Sequence, residues 1–103
     1  MRKLTVILDL QFGSTGKGLI AGYLACRRNY DTVCTAWAAN AGHTYIDEHG
    51  SKWVHTMLAN AIVSPKIKRV MIGPGSLLNL DNLLKEIHDS EDLLINNGVR
   101  IFI

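Results

Sequence analysis

Residues 4–18 read Leu-Thr-Val-Ile-Leu-Asp-Leu-Gln-Phe-Gly-Ser-Thr-Gly-Lys-Gly and combine a strand pattern with a glycine-rich loop. Residues 4–10 are apolar and partly β-branched, which is typical of a strand buried on both faces. Residues 19–30 then carry apolar side chains at helical spacing, and residues 32–38 predict a second strand. Strand, glycine loop, helix and strand in this order predict a three-layer α/β fold with a mainly parallel central sheet.

The loop at residues 13–18 has the composition of a phosphate-binding loop. Glycines let backbone N–H groups approach a phosphate, the helix N-terminus adds partial positive charge, and Lys17 adds a full one. The spacing Gly13-x-x-Gly16-Lys17-Gly18 is shorter than that of a Walker A loop, which also needs Ser or Thr after its lysine. We therefore expect a P-loop-like turn that is not Walker A, with a purely structural glycine turn as the alternative.

A second motif, Asn-Ala-Gly-His-Thr at residues 40–44, directly follows the second predicted strand. Ligands of open parallel sheets gather beyond the carboxyl ends of the strands, so this motif and the glycine loop should meet at one edge. An imidazole there can donate a proton or a hydrogen bond to a phosphoryl oxygen. We interpret His43 as a site residue for that reason, although an isolated histidine is more often structural.

The remaining chain alternates further strand and helix patterns. The predicted elements are a hairpin of residues 44–46 and 52–55, a strand at residues 68–72, a helix beginning at residues 81–87 with Asn79 or Asp81 as its cap, and a core strand at residues 99–103. Four of the last five residues are apolar. We therefore interpret residues 1–103 as the N-terminal part of a single, longer domain.

Composition excludes several classes of protein. With 48% hydrophobic and 19% charged residues, the chain is globular, and its net charge of +2 argues against a nucleic-acid or membrane-surface partner. No signal peptide or run of about 18 apolar residues is present, which predicts a cytoplasmic protein. Cys26 and Cys34 form neither a disulfide framework nor a zinc spacing, and we interpret both as small buried hydrophobes.

The other three histidines are interpreted as structural or surface residues. His49 lies in a predicted turn, His88 near a helix end, and His55 in an extended run typical of a hydrogen-bonded strand histidine. None of them has metal-ligand spacing with another, which argues against a protein-built zinc site. A metal is expected to arrive with phosphates, as Mg²⁺.

Four segments together resemble one enzyme family. Residues 11–18, Gln-Phe-Gly-Ser-Thr-Gly-Lys-Gly, resemble the adenylosuccinate synthetase signature Gln-Trp-Gly-Asp-Glu-Gly-Lys-Gly, and residues 40–44 are identical to that family's second signature. Residues 57–62 and 72–75 are more loosely similar to its Leu-Leu-Pro-Ser-Gly-Ile and Ile-Gly-Asn-Gly segments. Ser14 stands where the family has its catalytic aspartate. That departure resembles the bacteriophage branch of the family, which acts on dGMP.

The resemblance implies a carbon–nitrogen ligase. Its expected reaction joins L-aspartate to dGMP while ATP, or dATP, is cleaved to the diphosphate and phosphate, giving 2-amino-2′-deoxy-N6-succinyl-AMP for 2-aminoadenine DNA. It further implies Mg²⁺ as cofactor and a homodimer. Two alternatives stay open: an ordinary adenylosuccinate synthetase that uses IMP and GTP, and a non-catalytic nucleotide-binding remnant. We do not expect these 103 residues alone to complete the reaction.

Residue matching to the family implies roles for the two motifs. His43 would donate to the charge developing between the purine O6 and the γ-phosphate, and Ser14 would orient N1 and relay its proton. The implied ATP-binding residues are Gly13, Ser14, Thr15, Gly16, Lys17, Gly18, Gly42, His43 and Thr44. The implied dGMP-binding residues are Ser14, Thr15, Gly16, Lys17, Asn40, Ala41, Gly42 and His43. The implied magnesium ligands are Ser14 and the carbonyl of Gly42.

Overall fold

The computed structural model describes residues 2–13, 15–36 and 42–103. In chain order its elements are α1 (Lys17–Arg27), β1 (Thr32–Thr35), β2 (His43–Ile46), β3 (Lys52–His55), a 3-10 helix (Asn60–Val63), β4 (Arg69–Ile72), α2 (Leu80–Asp89), α3 (Glu91–Asn97) and β5 (Arg100–Phe102).

A parallel three-stranded sheet of order β1-β4-β5 is the centre of the fold. Val70 of β4 is fully buried and pairs with Val33 on one side and Ile101 on the other. Parallel neighbours need long crossover connections. The segment with β2, β3 and the 3-10 helix connects β1 to β4, and α2 and α3 connect β4 to β5. The α/β class with a parallel sheet is confirmed, and each strand is shorter than its apolar run. Of the strand predicted at residues 32–38, positions 37 and 38 lie outside the described residues.

Strands β2 and β3 form the predicted antiparallel hairpin, which is separate from the sheet. The Asp47 carboxylate closes its turn by accepting hydrogen bonds from the backbone N–H groups of His49 and Ser51, both at 2.9 Å. Trp53 Nε1 donates to the same carboxylate at 3.2 Å. The register that results places His43 directly opposite His55.

The most buried part of the chain is the segment around the 3-10 helix. Leu58, Asn60, Ile62 and Ser64 are each 0% exposed, and α1 packs against this segment. The Ser64 hydroxyl fixes the contact by donating to the carbonyl of Ala25 at 2.8 Å. The sequence pattern did not predict this core, because the segment around the 3-10 helix has neither a helical nor a strand repeat of apolar residues.

Glu86 of α2 anchors the backbone that leads into this core. Its carboxylate accepts hydrogen bonds from the N–H groups of Thr56 (2.6 Å), Met57 (3.0 Å) and Leu58 (2.8 Å), and from the Thr56 hydroxyl (2.5 Å). Burial alone would raise the pKa of Glu86, but these hydrogen bonds outweigh it and lower the pKa. The carboxylate is therefore ionised at neutral pH.

Helix α2 begins as predicted, with Asn79 as its cap. The Asn79 side chain accepts a hydrogen bond from the N–H of Asn82 at 3.0 Å. Ser90 separates α2 from α3, and Gly98, with φ of 63°, ends α3 in the left-handed conformation.

Residues 4–10 do not form the predicted strand. They pair with no strand of the described chain, and Leu4, Leu8 and Leu10 are 87%, 73% and 96% exposed. A strand buried on both faces needs a hydrogen-bonded neighbour and two covering layers. The described elements provide neither for this segment, so its apolar pattern alone does not produce a strand.

Two smaller expectations about burial are also corrected. The last strand forms at Arg100–Phe102 and pairs with β4, but it is an edge strand in which Phe102 is 45% exposed rather than a core strand. Cys34 on β1 is exposed and Cys26 is half-buried, so neither is the buried small hydrophobe that was expected.

Candidate functional site

The glycine loop enters α1 through two left-handed residues. Gly13 and Gly16 have φ of 94° and 91°, a region that side-chain-bearing residues rarely adopt. Gly16 is the N-cap of α1, and no described side chain caps the helix or places a carboxylate in its first turn. The first N–H groups of α1 therefore have no capping side chain among the described residues, and such groups can bind an anion. The phosphate-binding role of the turn stays a prediction.

Lys17, the first residue of α1, forms an ion pair with Asp9. The Asp9 side chain is 19% exposed, and its second oxygen, Oδ1, is buried without a hydrogen-bond partner among the described residues. Sequence analysis did not assign a role to Asp9. The feature of the sequence that could have indicated a role for Asp9 is that it is the single carboxylate in the otherwise apolar run of residues 4–10.

Gly18 and His43 bring the two predicted motifs together. A Cβ atom at position 18 would overlap the Cβ of His43 and would lie 3.0 Å from His43 Cγ. Only glycine at position 18 therefore allows β2 to approach the first turn of α1 this closely. The structure places Lys17, Gly18 and His43 at one edge, whereas Thr44 points to the opposite, exposed face of the hairpin.

His43 is half-buried and lies in a positive environment. Burial lowers the pKa of His43, the Lys17 ammonium lowers it further, and the Glu86 carboxylate opposes the shift. The imidazole is therefore neutral at pH 7. A neutral imidazole can donate a hydrogen bond through one ring nitrogen while accepting one through the other.

Behind His43 lies a buried polar chain that sequence analysis found only in part. His55 Nδ1 lies 2.7 Å from Asn60 Oδ1, and His55 Nε2 lies 3.1 Å from Ser90 Oγ. The prediction of a hydrogen-bonded strand histidine at position 55 is confirmed, and His49 and His88 are exposed as expected. Asn60 was missed, and its signal was a polar residue within the apolar run of residues 57–62.

Three of the predicted site residues, Ser14, Asn40 and Ala41, lie outside the described residues. Thr15 and Gly42 are exposed on either side of the edge where the glycine loop meets β2. A cavity of about 400 Å³ between α1 and the hairpin, lined by residues such as Ile20, Tyr23 and Tyr45, includes none of the predicted site residues.

Residues 2–13, 15–36 and 42–103 hold neither a cluster of metal-binding side chains nor a membrane-spanning helix. No group of three or more His, Cys, Asp or Glu residues there could hold a metal ion on its own. None of the helices in these ranges is long and apolar enough to cross a membrane.

Comparison with known proteins identifies the family. The family model described as adenylosuccinate synthetase matches residues 6–103. The chain belongs to the adenylosuccinate synthetase family. The two motifs that meet at Gly18 and His43 are therefore family motifs, and the hairpin and glycine loop lie in the part of the family fold that this chain covers.

Bacteriophage relatives are more similar to this chain than a cellular adenylosuccinate synthetase is. This chain is 60% identical over 101 residues to the N6-succino-2-amino-2'-deoxyadenylate synthase of Acinetobacter phage SH-Ab 15497. The match covers 98% of this chain and 26% of that protein. The chain is 40% identical over 89 residues to the adenylosuccinate synthetase of Pseudothermotoga lettingae, covering 85% of this chain and 21% of that protein.

A solved structure of this family has the same fold. The succinoaminodeoxyadenylate synthetase of cyanophage S-2L, bound to dGMP and to dATP as an energy donor, matches with a TM-score of 0.75 and 43% identity over 90% of this chain and 25% of that one. The chain thus spans about a quarter of the length of the relatives it matches.

Proposed function

We propose that residues 1–103 are the N-terminal part of a single synthetase domain that joins L-aspartate to dGMP. ATP, or dATP, is cleaved to the diphosphate and phosphate, and the product is 2-amino-2′-deoxy-N6-succinyl-AMP for 2-aminoadenine DNA. The observation that carries this proposal is the 60% identity to a phage N6-succino-2-amino-2'-deoxyadenylate synthase, against 40% to an adenylosuccinate synthetase. The complete protein is proposed to act as a homodimer in the host cytoplasm.

The glycine loop and α1 bind the triphosphate in this proposal. The uncapped N–H groups of α1 and the left-handed glycines at positions 13 and 16 support it, because both present backbone donors to an anion. Lys17 opposes the charge of the phosphates and exchanges its ion pair with Asp9 for a phosphate oxygen. Gly18 and Thr15 contribute backbone to the same cradle, and Gly42 flanks it just before β2. Thr44 would take part through its backbone, because its side chain lies on the opposite, exposed face of the hairpin.

His43 acts as the hydrogen-bond donor in the reaction. The purine O6 first attacks the γ-phosphate, and negative charge develops between O6 and that phosphate. The amine of aspartate then displaces the resulting 6-phosphoryl group. A neutral imidazole beside the first turn of α1 is positioned to donate to that charge. Asn40, Ala41 and Gly42 line the nucleotide next to it.

Ser14 replaces the carboxylate that the wider family uses at the purine N1. A serine hydroxyl is a weak base at neutral pH, so we assign it to orienting N1 and relaying the proton rather than capturing it. Its small volume leaves space for the 2-amino group of guanine next to N1. This difference accounts for a preference for dGMP over IMP.

The residues around the glycine loop fit the Mg²⁺ that the family implies. Asp9 Oδ1 is a buried oxygen without a hydrogen-bond partner among the described residues, and oxygen ligands are what Mg²⁺ prefers. Asp9 would hold the ion together with the Gly42 carbonyl and the Ser14 hydroxyl. When bound, Mg²⁺ neutralises part of the phosphate charge.

The test is phosphate release by the complete protein with ATP, Mg²⁺ and aspartate, with dGMP compared with IMP. Release with dGMP alone supports the proposal. Release with IMP alone makes the protein an ordinary adenylosuccinate synthetase and leaves Ser14 without a role. Release with neither makes it a nucleotide-binding remnant.

A further inference from the structure

Asn60 connects the buried core to the edge where Gly18 meets His43. The residue is 0% exposed, and its carboxamide reaches in two directions. On one side Oδ1 lies 2.7 Å from His55 Nδ1. On the other side Nδ2 lies 3.0 Å from the point where a Cβ of residue 18 would stand.

The Asn60 NH2 group and the His43 ring meet at that same point. His43 Cγ also lies 3.0 Å from it, so Nδ2 and Cγ are separated by at most twice that distance. The β2–β3 register reinforces this arrangement because it pairs His43 with His55, the residue that holds Asn60. The position of Asn60 near His43 therefore follows from the register of the hairpin and from the His55–Asn60 hydrogen bond.

The Asn60 NH2 group has no hydrogen-bond partner among the described residues. A buried donor left unpaired costs about 1–3 kcal/mol, whereas an apolar side chain of similar size would avoid that cost. Since the Oδ1 atom is already used by His55, the NH2 group is fixed in direction and can only donate. It requires an acceptor on the side of Gly18 and His43.

We propose that Asn60 is a positioning residue for His43, its NH2 group donating to His43 Nδ1 and thereby leaving the ring proton on Nε2. The imidazole would reach the amide by turning about its side-chain bonds, and Nδ1 is the ring nitrogen bonded to Cγ, which lies at the same 3.0 Å distance from the Cβ position of residue 18 as Asn60 Nδ2. A ring nitrogen that accepts carries no proton, so the tautomer is set by the amide. Nε2–H is then the ring donor that the proposed function requires.

In this arrangement the buried hydrogen bonds all run in the same donor-to-acceptor direction. Asn60 Oδ1 can only accept, so His55 Nδ1–H donates to it and His55 Nε2 accepts from the Ser90 hydroxyl. Each donor in the chain Ser90, His55, Asn60, His43 then points toward the site, and such chains polarise one another. The role of the final donor, Nε2–H of His43, rests on the proposed function.

The experiment reads the tautomer of His43 directly, by long-range ¹H–¹⁵N NMR of the complete protein without substrates. His43→Gln assigns the resonance. Asn60→Asp keeps Oδ1 for His55 but replaces the NH2 donor with an oxygen, and Ser90→Ala is the matched control that removes a buried group from the far end of the chain. We expect the proton on Nε2 in the wild type and in Ser90→Ala. In Asn60→Asp we expect it on Nδ1, with the pKa of His43 raised by about one unit or more.

Measurements of kcat and KM distinguish a positioning role of Asn60 from a role in packing alone. In Asn60→Asp we expect kcat for phosphate release to fall about 10- to 100-fold while KM for dGMP changes less than about threefold. A wild-type ring protonated on Nδ1, an unchanged tautomer in Asn60→Asp, or an equal loss of kcat in Ser90→Ala would each overturn the proposal. If the wild type releases no phosphate with dGMP, the proposed function fails, while the tautomer without substrates still tests the role of Asn60.

Discussion

Gly18 and His43 lie so close together that a Cβ on residue 18 would occupy the position of the His43 Cβ. This contact joins the glycine loop to the hairpin, two segments that are far apart in the chain. It also explains why the loop ends in a third glycine directly after Lys17, where a Walker A loop has a hydroxyl residue. Space at His43, rather than backbone conformation, requires glycine at this position.

Gly18→Ala tests that contact. The added methyl group must displace His43 or the first turn of α1, so we expect the free energy of unfolding to fall by about 1–3 kcal/mol. Denaturant unfolding measures it. Gly42→Ala is the control for stability, because its Cβ would make an ordinary 3.5 Å contact with Val54. Equal stability of the two variants would show that position 18 is not crowded.

Glu86→Gln tests the anchor of the buried segment. Glutamine keeps one acceptor oxygen but turns its NH2 group toward the N–H groups of Thr56, Met57 and Leu58, which also donate. We expect a loss of about 2–3 kcal/mol in the free energy of unfolding. The exposed Glu91→Gln in the first turn of α3 should cost less than about 1 kcal/mol, the contribution of a helix N-terminal charge. A loss no larger than that of Glu91→Gln would contradict the assigned role.

The pH dependence of stability follows from the lowered pKa of Glu86. A carboxyl with a pKa below its ordinary value of 4.5 stabilises the fold above that value, and the contribution is lost as pH falls through the lowered pKa. We therefore expect wild type and Glu86→Gln to differ in stability at pH 7 and to converge as the pH falls below 4.5. Unfolding measured across that range gives the difference, and a constant difference would disagree with the assignment.

Lys17→Gln should raise the pKa of His43. Burial is the larger cause of its lowered pKa, and the Lys17 ammonium is the next. Removing that cation leaves burial in place, so the pKa should move toward 6.5 without passing it. NMR titration of the His43 ring measures the change. Lys52→Gln, at the far end of β3 from His55, is the control and should leave the titration as it is; a shift equal in both variants would exclude a local effect of Lys17.

Ser14→Asp tests the origin of nucleotide preference. Restoring the family's carboxylate should reduce the space for the guanine 2-amino group, so we expect the ratio of kcat/KM for dGMP over IMP to fall about tenfold or more. Phosphate release with each nucleotide gives the ratio. A ratio equal to that of the wild type would rule out the size argument.

Short-range sequence patterns correctly predicted the hairpin and the start of α2. The hairpin follows from two extended runs around Asp47, and the cap of α2 follows from Asn79. Both need only neighbours within a few residues along the chain. The meeting of the glycine loop with His43 was also predicted, but from a parallel strand at residues 4–10 that does not form; the two meet because β2 packs against α1.

Features that depend on distant partners could not be predicted in this way. Residues 4–10 have the pattern of a buried strand, yet burial depends on covering layers that a local pattern does not contain. Asn60 looked like one polar residue in an irregular apolar run, and its partner His55 is held in turn by Ser90, 35 residues away. Nothing in the spacing of these three residues indicates a chain of hydrogen bonds.

The order of strands in the parallel sheet has a consequence for how the chain folds. β4 pairs with β1 and β5, and each of these partners lies more than thirty residues away along the chain. Closing such long loops costs conformational entropy before any pairing compensates it, whereas the hairpin of β2 and β3 closes over a short turn. His43 and His55 should therefore face each other within microseconds, well before the sheet is complete. Closure of the sheet then becomes the slow step of folding.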